Sequence, residues 1–247
     1  MTNPDDQSVE TRPGREPMFN LPPAIAAIAG VLIGIHLLRV FILPIGAGEA
    51  VIDMFGFVPA QVWSAPAEGV HGIAAWVMRL VPFLSYSLLH GDFLHLTFNT
   101  VWLVALGTPV ERYLGTIRFC VFAALGAVVS AAFYGALNPT SDVPMIGASG
   151  AVSAMMGALL RLMFALRQRD GVARLVDPGL LSFAVIWIAF NVVTGIGGIG
   201  FGREVQSIAW EAHIGGFLTG LLFSPLFDRH SGAHDLARRL RGAKRDG

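Results

Sequence analysis

Apolar residues fall in long, nearly unbroken blocks along the chain. They run roughly over Leu21–Ile45, Phe93–Leu106 with its flanks, Ile117–Leu137, Met145–Leu166, Gly179–Gly200 and Ile208–Phe227. Most reach or approach the ~20 residues a helix needs to cross the hydrocarbon core of a bilayer. The second block is the weakest, because His90, Asp92, His95 and Asn99 crowd its start. The pattern predicts an all-α membrane protein with six transmembrane helices. Residues 46–90 form the longest piece between spans and hold Phe55, Phe57, Trp63, Trp76 and Phe83 among small and polar residues. Aromatic residues at that density outside a span predict a loop lying in the headgroup layer. The expected organisation is a polar segment over residues 1–20, a six-helix membrane domain over 21–227 with its outer loop at 46–90, and a basic tail over 228–247.

Composition sharpens this picture by exclusion. Apolar residues make up 54% of the 247 and charged ones 14%, where soluble domains carry about 25% charged residues. So charge-poor a chain cannot cover a water-facing surface, and a mean hydropathy of +0.62 removes it from the disordered class. A net charge of +0 offers no basic footprint for nucleic acid. The single cysteine, Cys120, excludes a disulfide framework and a cysteine-ligated zinc site. No His-Glu-x-x-His occurs, which speaks against a zinc protease. His36, His95 and His213 form no axial-pair pattern for haem, so neither metal nor cofactor is expected. The first residues lack a basic n-region and a small-residue cleavage site, and the first span reads as an uncleaved anchor. With the N-terminus in the cytoplasm, all but Arg39, Arg79 and Arg203 of the 17 Lys and Arg residues lie on the inner side. The positive-inside rule then places both termini in the cytoplasm.

Polar side chains inside spans are costly and mark function by default. His95 and Asn99 stand four residues apart on one helical face, a spacing that also suits contact between helices. The stretch Gly147-Ala148-Ser149-Gly150 is a Gly-x-Ser-Gly motif that roughly one chain in six of this composition would carry by accident. Its setting says more. Asn138, Pro139, Asp142, Pro144 and Gly147 oppose regular helix before Ser149, whereas no proline interrupts residues 149–166. A helix starting at Ser149 would bring free backbone N–H groups and a positive dipole end below the outer surface. Such a start must be buried in protein or line a wet cavity. It could stabilise an oxyanion, and a serine that merely caps the helix fits the same pattern. On the last span, His213, Gly216 and Gly220 share one face, and Ser149, Ser153 and Gly157 repeat a spacing of four. Small residues so spaced let helices approach closely, which a Ser–His contact between two spans requires.

Together these residues resemble the rhomboid family of intramembrane serine proteases, over about residues 82–227. His95-Leu96-Thr97-Phe98-Asn99 is similar to the family's His-x-x-x-Asn. Gly107-x-x-x-Glu111-x-x-x-Gly115 is similar to its Gly-x-x-x-Glu-x-x-x-Gly. Gly147-Ala148-Ser149-Gly150 matches the nucleophile motif, and His213-x-x-Gly216-x-x-x-Gly220 matches the helix of the catalytic histidine. The resemblance implies a rhomboid fold and a Ser–His dyad, with Ser149 as nucleophile and His213 as general base and then acid. It also implies an oxyanion hole made by the Ser149 backbone N–H with the His95 and Asn99 side chains.

Further implications are transmembrane protein substrates, cleaved near the outer face where their helices are locally unstable, and a location in the lipid bilayer of a cell membrane. Arginine outnumbers lysine by 16 to 1, the usage of a GC-rich bacterium, so the expected membrane is a bacterial inner membrane. Glu211, two residues from His213, points to another face and is not expected to act as a triad acid. The chain departs from the family pattern at Ser153, where many members stack an aromatic ring on the catalytic imidazole. It departs again in the first loop, where Trp76 and Arg79 are the nearest candidates for a usual Trp-Arg pair. The absence of a seventh apolar block after Phe227 points to the six-helix form. The competing reading is a non-catalytic rhomboid-like scaffold or a small transporter, although both Ser149 and His213 are present.

Overall fold

The computed structural model describes residues 21–63, 72–167, 175–196 and 209–227. The expected terminal segments 1–20 and 228–247 lie outside the described residues, as does residue 203 among the basic positions assigned to the outer side. The described chain is helical. Helix α1 (Pro23–Leu37) runs on into a π-helical turn over Leu38–Ile42; the loop expected on the outer side then holds α2 (Ile45–Phe55), α3 (Pro59–Trp63), α4 (Ile73–Leu80) and α5 (Pro82–Ser85). Helix α6 (Phe93–Trp102) passes through a π-helical segment, Leu103–Gly107, into α7 (Thr108–Leu114), and α8 (Thr116–Leu137), α9 (Ser149–Arg167), α10 (Pro178–Ile196) and α11 (Trp210–Phe223) follow.

Among the described residues, five helical stretches are long and apolar enough to cross a membrane: Pro23–Ile42, Phe93–Leu114, Thr116–Leu137, Ser149–Leu166 and Pro178–Gly195. Large apolar side chains such as Phe41, Ile42, Val101, Ile117, Val121, Ile186 and Phe190 stand on the outside of this bundle. Such a surface is stable only against lipid, and the protein is a membrane protein. The sixth apolar block of the sequence holds α11, which a 3-10 turn over Ser224–Phe227 follows. The 14 residues of α11 extend ~21 Å at 1.5 Å per residue. Ala212, Ile214, Gly215, Gly216, Phe217, Thr219, Gly220 and Leu221 within it are all buried.

Helices α9 and α11 pack against each other and against α8, and this trio is the centre of the molecule. The α9–α11 seam has almost no side chains in it. A Cβ added to Gly220 would sit 1.9 Å from the Ala154 carbonyl oxygen, one on Gly216 would sit 2.1 Å from the Gly150 oxygen, and one on Gly157 would sit 2.2 Å from the Phe217 oxygen. The sequence suggested Ser149, Ser153 and Gly157 as the α9 face; the seam keeps Gly157, and its other close approaches fall at Gly150 and Ala154, one residue after each of the two serines. That offset leaves Ser149 at the edge of the seam.

Two long-range contacts tie α1 to the rest. Pro23 opens α1 and has no N–H to place, while the next two donors, Ala24 N and Ile25 N, reach Glu111 Oε1 and Oε2 at 3.1 Å each. Thr116 Oγ1 donates to the same carboxylate at 3.0 Å. An anion at a helix N-terminus satisfies orphan donors and opposes the positive end of the dipole. At the other end of the helix, Arg39 donates to the carbonyl oxygens of His90 and Gly91.

The outer loop is not uniform. Phe57 is buried and packs edge-on against Phe83 at 4.8 Å, so these two aromatics serve the core rather than a membrane interface. Helix α4 by contrast exposes Ile73, Trp76, Val77, Met78 and Leu80.

Candidate active site

The site forms where α9 begins. Between α8 and α9 the chain is extended, as the run of Asn, Pro, Asp and Gly residues predicts. It is held by paired backbone bonds between Phe57 and Met145 (3.0 and 2.9 Å) and by Gly147 N donating to the Tyr86 carbonyl at 3.0 Å. Gly147 has φ +118°, and a Cβ there would lie 2.6 Å from His95 Nε2. Only glycine permits both this backbone and this approach. The segment thus delivers Ser149 as the first residue of α9, beside the His95 ring.

Across the seam, His213 Nε2 lies 2.8 Å from Ser149 Oγ. Both residues are partly buried. The other ring nitrogen, Nδ1, lies 2.9 Å from Asn191 Oδ1 on α10. Asn191 is buried, and its amide nitrogen donates to the Trp187 carbonyl at 2.8 Å. Glu211 points away from His213, as expected, and accepts a bond from Asn138 Nδ2 at 3.2 Å. Ser153 is buried.

The proposed oxyanion donors occupy α6. Asp92 caps this helix by accepting the His95 backbone N–H at 2.8 Å. His95 Nδ1 accepts from Gly91 N at 3.5 Å, which leaves the imidazole proton on Nε2, the nitrogen facing Gly147. Asn99 is buried and uses one amide hydrogen on the His95 carbonyl at 2.9 Å. His90 packs edge-on against the His95 ring at 5.0 Å. Burial, reinforced by His95 and His36, pushes the His90 pKa down to about 3, so it stands as a neutral wall of the site at physiological pH.

The structure therefore brings together Ser149 with His213, and His95 with the loop that presents Ser149. Two contributions escaped the sequence. Asn191 is a strongly polar residue in an apolar helix, a signal that could have singled it out. Glu111 belongs to a quoted motif, but nothing in its local sequence shows that its partners lie 86 and 87 residues earlier.

Residues 77–229 match the family model described as Rhomboid domain. The chain is 33% identical over 175 residues to the rhomboid protease GlpG of Pectobacterium atrosepticum, covering 70% of this chain and 56% of that one. It is 31% identical over 191 residues to the rhomboid protease GluP of Bacillus subtilis, covering 77% of this chain and 32% of that one. To the rhomboid protease GlpG of Serratia proteamaculans it is 34% identical over 155 residues, covering 62% and 50%. The chain spans between about a third and just over half of the length of these relatives. The match takes in more than half of the chain and every residue of the site just described, and the chain belongs to the rhomboid family.

Proposed function

We propose that the protein is an intramembrane serine endopeptidase that cleaves transmembrane segments of other membrane proteins near the outer face of the bilayer. The observation that carries this reading is the 2.8 Å contact between Ser149 Oγ and His213 Nε2 at the start of a helix. An ordinary serine is a weak nucleophile and needs an adjacent base. Here Nε2 takes the Oγ proton as Oγ attacks the scissile carbonyl carbon, and the carbonyl oxygen becomes an oxyanion. The Ser149 backbone N–H, His95 Nε2–H and the second Asn99 amide hydrogen are the donors assigned to it. His213 then returns the proton to the leaving amine, and water hydrolyses the acyl-enzyme by the same steps in reverse order. A peptide bond inside an intact helix is shielded by its own hydrogen bonds, so substrates need a locally unstable stretch at the site.

The accompanying topology is six helices with α11 as the last, a loop over 46–90 in the membrane interface, and both termini in the cytoplasm of a bacterial inner membrane. The apolar surface of α4 supports the interfacial position of the loop.

The test is cleavage of a model transmembrane substrate together with covalent labelling. Ser149→Ala and His213→Ala should each fall to background, with the double variant no worse, because residues acting as one unit are non-additive. A fluorophosphonate should modify Ser149, and the adduct should vanish in His213→Ala. Folded Ser149→Ala protein that still cleaves at more than a few per cent of the wild-type rate refutes the assignment.

A further inference from the structure

We propose that Asn191 is the positioning residue of the catalytic base, so that the dyad works as a Ser149–His213–Asn191 array built from three helices. The inference deepens the protease reading and rests on it. Its ground is a chain of three bonds. Asn191 Nδ2 donates to the Trp187 carbonyl at 2.8 Å, Asn191 Oδ1 faces His213 Nδ1 at 2.9 Å, and His213 Nε2 faces Ser149 Oγ at 2.8 Å. The first bond orients the amide: with its nitrogen spent on a carbonyl of its own helix, its oxygen is what meets the imidazole. An amide oxygen can only accept, so the proton sits on Nδ1. Nε2 is then bare and receives the Ser149 hydroxyl proton, the tautomer a general base requires.

No other group described around the ring does this work. Ser153 has no ring to lay against the imidazole, and Glu211 is engaged with Asn138. Asn191 is 4% exposed, so water does not compete for its oxygen. Helix α10 is also seated on α11 one turn further along, where Gly195 admits the Trp210 ring: a Cβ there would lie 2.1 Å from a ring carbon. The amide is therefore held from its own helix and from its neighbour. When His213 becomes imidazolium during attack, the same oxygen accepts from the more acidic N–H and holds the ring in place. Asn191 carries no charge and touches no reacting atom; it acts through His213.

The test compares Asn191→Leu, Asn191→Ala and Asn191→Asp with wild type, for substrate cleavage and for the rate of fluorophosphonate labelling of Ser149. Removing the acceptor should lower kcat by about 10–100-fold, the range seen for partners that orient an active imidazole. KM should stay within about twofold and labelling should fall in parallel, because the loss is in the base and not in substrate binding. Asn191→Asp keeps an acceptor oxygen in either protonation state and should recover most of the loss. A merely structural asparagine would give neither the selective fall in kcat nor this rescue. In wild-type protein, where no substitution can disturb folding, the ¹⁵N spectrum of the imidazole assigned by His213→Ala should show a protonated Nδ1. Cleavage by Asn191→Leu within threefold of wild type, or a protonated Nε2, would overturn the proposal and leave the dyad standing. Unimpaired cleavage by Ser149→Ala would instead remove the protease reading itself.

Discussion

Substituting Gly216 by alanine tests whether the spacing of the two catalytic helices is set by direct contact of their backbones. The new Cβ would sit 2.1 Å from the Gly150 carbonyl oxygen and 2.8 Å from Ser130 Oγ, whereas real Cβ atoms essentially never come within 3.0 Å. The nearer of the two is a backbone carbonyl that cannot swing aside, so α11 has to withdraw from α9 by about 0.9 Å. His213 lies one turn before Gly216 and moves with it. The Ser149–His213 separation then grows from 2.8 Å beyond the reach of a hydrogen bond. A misplacement near 1 Å costs on the order of 10²-fold in rate, and overpacking of this kind costs about 1–3 kcal/mol of stability. The assay is substrate cleavage and fluorophosphonate labelling of Ser149, with thermal unfolding in detergent alongside. Gly34→Ala is the control, since nothing lies within 4 Å of its added Cβ, and it should leave both readouts in place. Gly216→Ala protein that cleaves within threefold of wild type with an unshifted unfolding midpoint would show that the seam is soft and the reasoning wrong.

Other outcomes follow from the framework around the site. Glu111→Ala leaves the Ala24 and Ile25 N–H groups without their carboxylate and should destabilise by about 2–6 kcal/mol, at 1–3 kcal/mol for each buried donor left unpaired; Glu111→Gln, which keeps one acceptor oxygen, should lose less, and an unfolding midpoint unchanged in both variants would mean that water replaces the cap. Reporter fusions after Phe227 and in the Asp170–Asp177 loop should read cytoplasmic and fusions near Glu68 external; a cytoplasmic signal at Glu68 would invert the chain and put Ser149 on the wrong side.

The course of the main chain near Ser149 was readable because breakers act locally. Pro139, Pro144 and Gly147 forbid helix whatever packs around them, so the helix start at Ser149 follows from the residues before it. The small residues at helical spacing allowed a close approach of the Ser149 and His213 helices, and the family resemblance implied the pairing itself, which the 2.8 Å contact shows. The register of that seam was less readable: a stripe defined by spacing alone is uncertain by one residue, and the close backbone contact with α11 falls at Gly150 rather than at Ser149. Asn191 is the clearest loss. Its partner lies 22 residues away on another helix, and no periodicity links a lone asparagine to a histidine beyond a turn. The outer loop divided for a similar reason, because Phe57 and Trp76 look alike in sequence and only tertiary contacts send one inward and the other outward.

The Glu111 cap has a consequence for how the molecule is made. Helix α1 leaves the ribosome before α7, and the carboxylate that finishes its N-terminal turn follows 86 to 87 residues later. At a synthesis rate of about 5–20 residues per second, α1 waits roughly 4–17 s with two donors open to headgroups and water. It is latched only when the α7–α8 turn arrives and closes a ring that encloses the whole outer loop. Biogenesis of this bundle is therefore not a simple succession of finished spans. An earlier helix is completed by a later one, and a nascent chain stalled before residue 111 holds an α1 whose N-terminal donors still lack their carboxylate.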